Sequence, residues 1–186
     1  MIITIFGKKG SGKSTLSKHD MVQFPGRIVF LSPVENLKVK DYVIWDNDEL
    51  SYKMPLMKSG EIMIVRRADI ESLDIICCIA MIEGHYTIVI DEIDQYKSSI
   101  QLRDMIHYAR HFDINIISNT RRYVDVPRLL TSQSDLLKIF QTVEPRDLQY
   151  LKEYTGSDVI NTISHLNPYT YLEYPSLEIR HTIKIL

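Results

Sequence analysis

The sequence predicts an α/β fold with a doubly wound, mostly parallel sheet, on three observations. Strand-like and helix-like segments alternate along the 186 residues, several strands are continuous β-branched runs, and the first strand leads straight into a glycine-rich turn and a helix. Continuous apolar strands belong to sheets covered on both faces. Alternation implies right-handed crossovers and places ligands at the carboxyl ends of the strands. With 45% hydrophobic residues, the chain is long enough for one domain with a sizeable core and too short for two ordinary ones. Residues 1–186 are therefore expected to form a single domain.

The elements follow in order. Ile2–Phe6 (IITIF) is a buried strand, and Lys13–Val22 a helix behind the glycine-rich turn. Arg27–Leu31 is the second strand. Ser32–Gly60 is polar, with Pro33, Pro55 and scattered lysines, and reads as an irregular excursion broken by a short strand at Tyr42–Trp45. Glu61–Val65, Tyr86–Ile90, Ile114–Ser118 and Leu136–Phe140 are further strands; Ala68–Glu83, Ser99–His111 and a short segment near Pro127–Gln133 are the helices between them. Pro145–Tyr154 is a helix with Glu144-Pro145 as its start and Gly156 as its stop. Tyr169–Tyr174 and Glu178–Ile183 alternate apolar and polar residues around Pro175-Ser176, the pattern of a C-terminal β-hairpin.

Charge and cysteine usage narrow the class. A formal net charge of −2 excludes a globally basic nucleic-acid binder, so any DNA contact must come from local lysines and arginines. Cys77 and Cys78 are adjacent in an apolar stretch; they read as buried reduced thiols suited to a reducing compartment, with no disulfide framework. The apolar run Ile75–Ile82 falls short of the roughly 20 residues that span a bilayer, and the N-terminus lacks a basic leader. A soluble, cytoplasmic protein without membrane insertion is expected.

The chemistry starts at Gly7-Lys8-Lys9-Gly10-Ser11-Gly12-Lys13-Ser14-Thr15, a phosphate-binding loop at a strand-to-helix junction. Glycines let backbone N–H groups close around phosphate oxygens, Lys13 reaches the β/γ-phosphates, and the Ser14 hydroxyl can hold Mg²⁺ at a helix N-terminus that favours anions. ATP with Mg²⁺ is the implied ligand. The strand Tyr86–Ile90 ends in Asp91-Glu92: Asp91 is suited to hold the Mg²⁺ water shell and Glu92 to orient and deprotonate an attacking water. This pairing points to hydrolysis. A third strand ends in Asn119-Thr120-Arg121-Arg122; Asn119 is the candidate sensor of the γ-phosphate, with Ser118 and Thr120 behind it.

The stretch HYARHFDINIISNTRRYVDVPRLLTSQSDLLKIFQ, with Arg110 in its helix and Arg121-Arg122 after the polar tip, resembles the FtsK/HerA-type ATPases, and particularly the small genome-packaging ATPases of phages and archaeal viruses. The family commonly has Gln followed by Arg-Pro at that tip, where this chain has Asn119 and then Thr120-Arg121-Arg122. Glu144-Pro145-Arg146-Asp147-Leu148 is also similar, and the resemblance runs from about Met1 to Tyr174. It implies a RecA-like P-loop NTPase fold and a Mg²⁺-dependent ATPase. It also implies a ring of five or six identical subunits that threads double-stranded DNA into a preformed capsid without reading sequence, in the host cytoplasm or at the packaging vertex, with a portal or capsid-vertex protein as partner. An arginine reaching the neighbour's γ-phosphate is implied too, from about the place of Arg66 and Arg67, which end the Glu61–Val65 strand; Arg110, Arg121 and Arg122 are rivals.

Two other classes are weighed. A filamentous-phage type assembly or export ATPase would normally add a membrane span, and a small P-loop kinase less often shows an Asp-Glu pair and needs an arginine-rich lid. Lys97 to Arg103, with Lys38, Lys40, Lys53 and Lys58, are candidate DNA phosphate contacts. His107 and His111 share a helix face but have no third ligand in view, so no zinc site is expected. Among the eleven tyrosines, an adenine-stacking ring is weighed against packing on the sheet, which is preferred.

Overall fold

The computed structural model describes residues 1–32, 42–44 and 46–182; Pro33, Lys38, Lys40, Trp45 and Ile183 lie outside them. The first strand, β1 (Ile2–Phe6), is wholly buried and turns through the glycine-rich loop into α1 (Lys13–Met21). Next come β2 (Arg27–Ser32), β3 (Tyr42–Ile44), α2 (Asn47–Lys53), β4 (Ile62–Arg66), α3 (Ile70–Glu83), β5 (Tyr86–Ile90) and α4 (Ile100–Tyr108). The chain continues through β6 (Asn115–Thr120), α5 (Arg128–Gln133), β7 (Leu136–Phe140), α6 (Pro145–Thr155), α7 (Ser157–Ser164), β8 (Thr170–Tyr174) and β9 (Glu178–His181).

Among the described residues, nine strands join one sheet in the order β3-β4-β2-β5-β6-β1-β7-β8-β9. Every pair from β3 to β7 is parallel, and β7–β8 and β8–β9 are antiparallel. The expected doubly wound, mostly parallel sheet is present, and the C-terminal hairpin extends it. β1 sits in the interior, with β6 on one side and β7 on the other. Because strand side chains alternate between faces, Ile2 joins the core beneath α3, α4 and α5, whereas Ile3 and Ile5 pack with Leu16 and Met21 of α1 on the opposite face. Phe6, Leu137, Ile139 and Leu172 meet Leu151, Val159 and Ile163 of α6 and α7 in a third cluster.

Several boundaries move. The excursion at 32–60 contains α2, started by Asp46, whose side chain accepts from the Glu49 N–H at 2.8 Å. Only Leu50 of that helix is buried, so its polar outer face hid it in the sequence. The helix expected over Ser99–His111 stops at Tyr108 and tightens into a 3₁₀ turn, Ala109–Phe112. Helix α7 was not foreseen; Gly156, with φ of 87°, ends α6 as expected but only separates it from a second helix. Cys77 is buried but Cys78 is exposed, since neighbouring helix positions face directions about 100° apart; the expectation of two buried thiols is corrected.

Candidate nucleotide-binding site

The loop from Gly7 to Gly12 closes over the carboxyl end of β1. Gly7 is buried and its N–H donates to Thr120 O of β6 at 3.2 Å. A side chain there would meet Ser11 Oγ at 2.6 Å and Phe140 Cβ at 2.7 Å, so glycine is needed for space. Gly12 needs its freedom for a different reason: its φ is 105°, a left-handed conformation that starts α1 with no side-chain cap. The first turn of α1 has no acidic residue, leaving an uncapped N-terminus that favours an anion. Lys8, Lys9, Gly10 and Ser14 are exposed, Ser11 is buried, and Gly12 and Thr15 are half-buried.

Lys13 is folded back into this loop. Its Nζ donates to Gly7 O at 2.6 Å and Lys8 O at 3.1 Å. Burial pulls its pKa down to about 8, opposed by the nearby Asp91 carboxylate. A cation held among carbonyl oxygens with its charged form disfavoured is poised to gain from an arriving polyphosphate.

Because β6 lies between β1 and β5, Asn119 is placed between the loop and the acidic pair. The strand was expected to end at Ser118, but it runs on to Thr120, and Asn119 is fully buried rather than standing on an open tip. Its Nδ2 donates to Ser17 Oγ at 3.0 Å and Asp91 Oδ1 at 3.1 Å, while its Oδ1 is buried without a partner among the described residues. Ser17, absent from the sequence reading, therefore ties α1 to β6; an isolated serine in a helix gives no such signal. Ser14 offers a hydroxyl and Asp91 a carboxylate, the hard oxygen donors that Mg²⁺ prefers. Among the described residues there is no group of three or more His, Cys, Asp or Glu side chains that could hold a metal ion.

Glu92 follows in a left-handed conformation, φ 54°. One carboxylate oxygen pairs with the Arg121 guanidinium, and the other accepts from Gln95 Nε2 at 2.6 Å. Both oxygens are thus engaged. Arg122 bonds instead to Asp147, which is 1% exposed, at 3.0 Å and reaches Glu144 at 3.4 Å. Arg110 pairs with Asp135, whose N–H bonds Ile2 O at the amino end of β1, the far edge from the loop. Arg66 and Arg67 do leave the carboxyl end of β4. Four strand spacings separate β4 from β1, about 19 Å at roughly 4.8 Å each, so these arginines lie well away from this chain's own loop.

A further contact was invisible in sequence. Lys138, inside the apolar strand β7, donates to both oxygens of Asp20 at 2.9 and 2.8 Å, with both side chains only 8% exposed. It locks the end of α1 to the sheet beneath the loop. His107 and His111 are both exposed. Of the tyrosines, Tyr86, Tyr96 and Tyr123 are packed in the core, and Tyr150 stacks on Tyr123 with ring centroids 5.9 Å apart; Tyr169 is exposed. No helix among the described residues is long and apolar enough to cross a membrane.

The sheet order and the loop define a P-loop nucleotide-binding fold, with the acidic pair one strand removed from the loop strand. No family model and no curated protein sequence matches the chain. Solved structures do. The genome packaging NTPase B204 of Sulfolobus turreted icosahedral virus 2, in complex with ATP-γS, is 23% identical with a TM-score of 0.75, covering 100% of this chain and 98% of that one; its AMPPCP complex gives a TM-score of 0.76 at 22% identity, covering 98% and 96%. VirB4 of Thermoanaerobacter pseudethanolicus has a TM-score of 0.66 at 11% identity, covering 97% of this chain and 88% of that one. At these identities the likeness is one of fold, and it agrees with the resemblance read from the sequence.

Proposed function

We propose that this chain is a Mg²⁺-dependent ATPase whose subunits form a ring that drives double-stranded DNA into a preformed capsid. The observation that carries the reading is the convergence at one sheet edge of the loop lysine, Asp91, Glu92 and the buried Asn119, which bridges α1 to Asp91. Support comes from the fold shared over the whole chain with a viral genome packaging NTPase seen with ATP analogues.

In this reading the loop N–H groups and Lys13 bind the phosphates, and Ser14 and Asp91 would hold Mg²⁺, which when bound would supply neutralisation of phosphate charge. Glu92 accepts a proton from the water that attacks the γ-phosphorus as the bond to the bridging β–γ oxygen breaks. Its pairing with Arg121 must loosen first, and the γ-phosphate is the natural competitor for that guanidinium. Asn119 holds Asp91 and Ser17 in register. Arg66 or Arg67, too far from this chain's own loop, serves the neighbouring subunit, where such a finger contributes about 10³-fold or more to turnover. Lys53, Lys58, and Lys97 to Arg103 are the described candidates for backbone contacts, which make DNA binding sequence-independent and salt-sensitive.

Oligomer mass combined with subunit mixing tests this. Arg67→Ala and Lys13→Ala subunits, each inactive alone, should recover hydrolysis together, because an intact loop then meets an intact arginine across the interface. Co-assembly without recovery, for Arg66→Ala as well, removes the trans role from this strand. Duplexes of unrelated sequence should raise turnover alike, with an effect that fades as salt rises; a ring that ignores DNA argues against translocation.

A further inference from the structure

The catalytic groups fix which way a nucleotide must lie. Asp91, Glu92 and Asn119 all stand on the β5 and β6 side of the loop strand. A triphosphate whose γ end points at them must send its nucleoside the other way, toward β7 and β8. On that side a cleft of about 200 Å³ opens against Lys8–Ser11 of the loop, lined across from it by Gln141, Pro168 and Tyr169.

The cleft is constructed by the C-terminal hairpin. Tyr169, immediately before β8, is 58% exposed although its backbone is left-handed at φ 61°. That conformation is unfavourable for a bulky residue and persists only where surroundings enforce it. Here the Thr182 N–H, just past β9, donates to Tyr169 O at 2.8 Å, and Thr170 on the next position bonds Asn167 O through its N–H at 3.1 Å and its hydroxyl at 2.7 Å. Thr182 also lies against the loop: a side chain on Gly12 would come within 3.2 Å of it. The hairpin is thereby braced on the phosphate loop while it presents an aromatic ring beside the cleft. Gln141 supplies the polar element. Its Nε2 donates to Ser164 O at 3.2 Å, which fixes the amide orientation and leaves the carbonyl oxygen and the second Nε2 hydrogen for a ligand.

We propose that this cleft holds the nucleotide base, with Tyr169 stacking on it and the Gln141 carbonyl accepting from an exocyclic amino group, so that adenine is preferred to guanine. Adenine presents an amino donor at the position where guanine presents a carbonyl oxygen, which would face the Gln141 oxygen lone pair to lone pair. The assignment rests on the reading of the loop as a nucleotide site and gives the hairpin a function of its own.

Equilibrium binding of ATP, GTP and inorganic tripolyphosphate tests it on the whole chain. Loss of one aromatic–base stack is expected to weaken ATP binding roughly tenfold or more in Tyr169→Ala, with tripolyphosphate binding unchanged and Tyr169→Phe close to wild type. The wild type should bind GTP more weakly than ATP, and Gln141→Ala should shrink that difference. Unchanged ATP affinity in Tyr169→Ala, alongside a Lys13→Ala protein that has lost it, overturns the proposal. Equal loss of ATP and tripolyphosphate in Tyr169→Ala overturns it too, because the ring would then merely brace the loop. A wild type that binds neither ligand overturns the underlying nucleotide reading itself.

Discussion

Raising the pH should cost this protein its nucleotide, and Lys13 sets the range. Buried among the carbonyls of Gly7 and Lys8, its ammonium has a pKa of about 8. The sign follows from linkage: phosphates bind the charged form, so below that pKa the free protein is already in the binding form, and above it binding must take up a proton. About nine-tenths of molecules carry the charge at pH 7 and about one-tenth at pH 9, so affinity should fall about tenfold between them, or ~1.4 kcal/mol. Triphosphate with Mg²⁺ keeps constant charge over this range, and Lys18, whose pKa burial also lowers, is controlled for by Lys18→Gln, which should keep the slope. Calorimetric titration of a non-hydrolysable ATP analogue, in buffers of differing ionisation enthalpy, reads both affinity and proton uptake. An affinity flat from pH 7 to pH 9 with no proton taken up would refute the argument.

Two substitutions test the scaffold. Gly7→Ala places a methyl group against Phe140 in the packed core; overpacking of this kind costs about 1–3 kcal/mol, so thermal unfolding should move down by several degrees and ATP binding should weaken at least as much as Tyr169→Ala weakens it. Asp147→Ala strips partners from Arg122 Nε and the Val124 N–H, held at 3.0 and 3.2 Å; with Arg122 partly solvated, a loss of about 1–3 kcal/mol is expected by urea unfolding, with ATP affinity unchanged.

How much of this was legible in the sequence varies with the signal each residue leaves. The loop and the acidic pair are contiguous motifs, and the strands Ile2–Phe6, Tyr86–Ile90 and Leu136–Phe140 are predominantly apolar runs, each with a single polar residue, whose bounds match. Helices α2 and α7 escaped because short helices with polar outer faces resemble loops. The brackets around the site are long-range pairings between ordinary residues: Asn119 with Ser17, Arg121 with Glu92, and Lys138 with Asp20, across 102, 29 and 118 positions. No local pattern announces them. Sheet order decides them, and it places Asn119 beside Asp91 while moving Arg66 and Arg67 four strands from the loop. Tyr169 was weighed only as one tyrosine among several; its distinguishing feature, a constrained backbone beside an open cleft, is purely structural.

Hydrolysis at the end of β5 is tested by phosphate release from MgATP by wild type and Glu92→Gln, measured beside ATP binding. Replacing the base with an amide of the same shape should leave ATP affinity within about threefold and slow turnover by roughly 10² or more. A Glu92→Gln protein that binds ATP and turns it over at the wild-type rate would contradict the account.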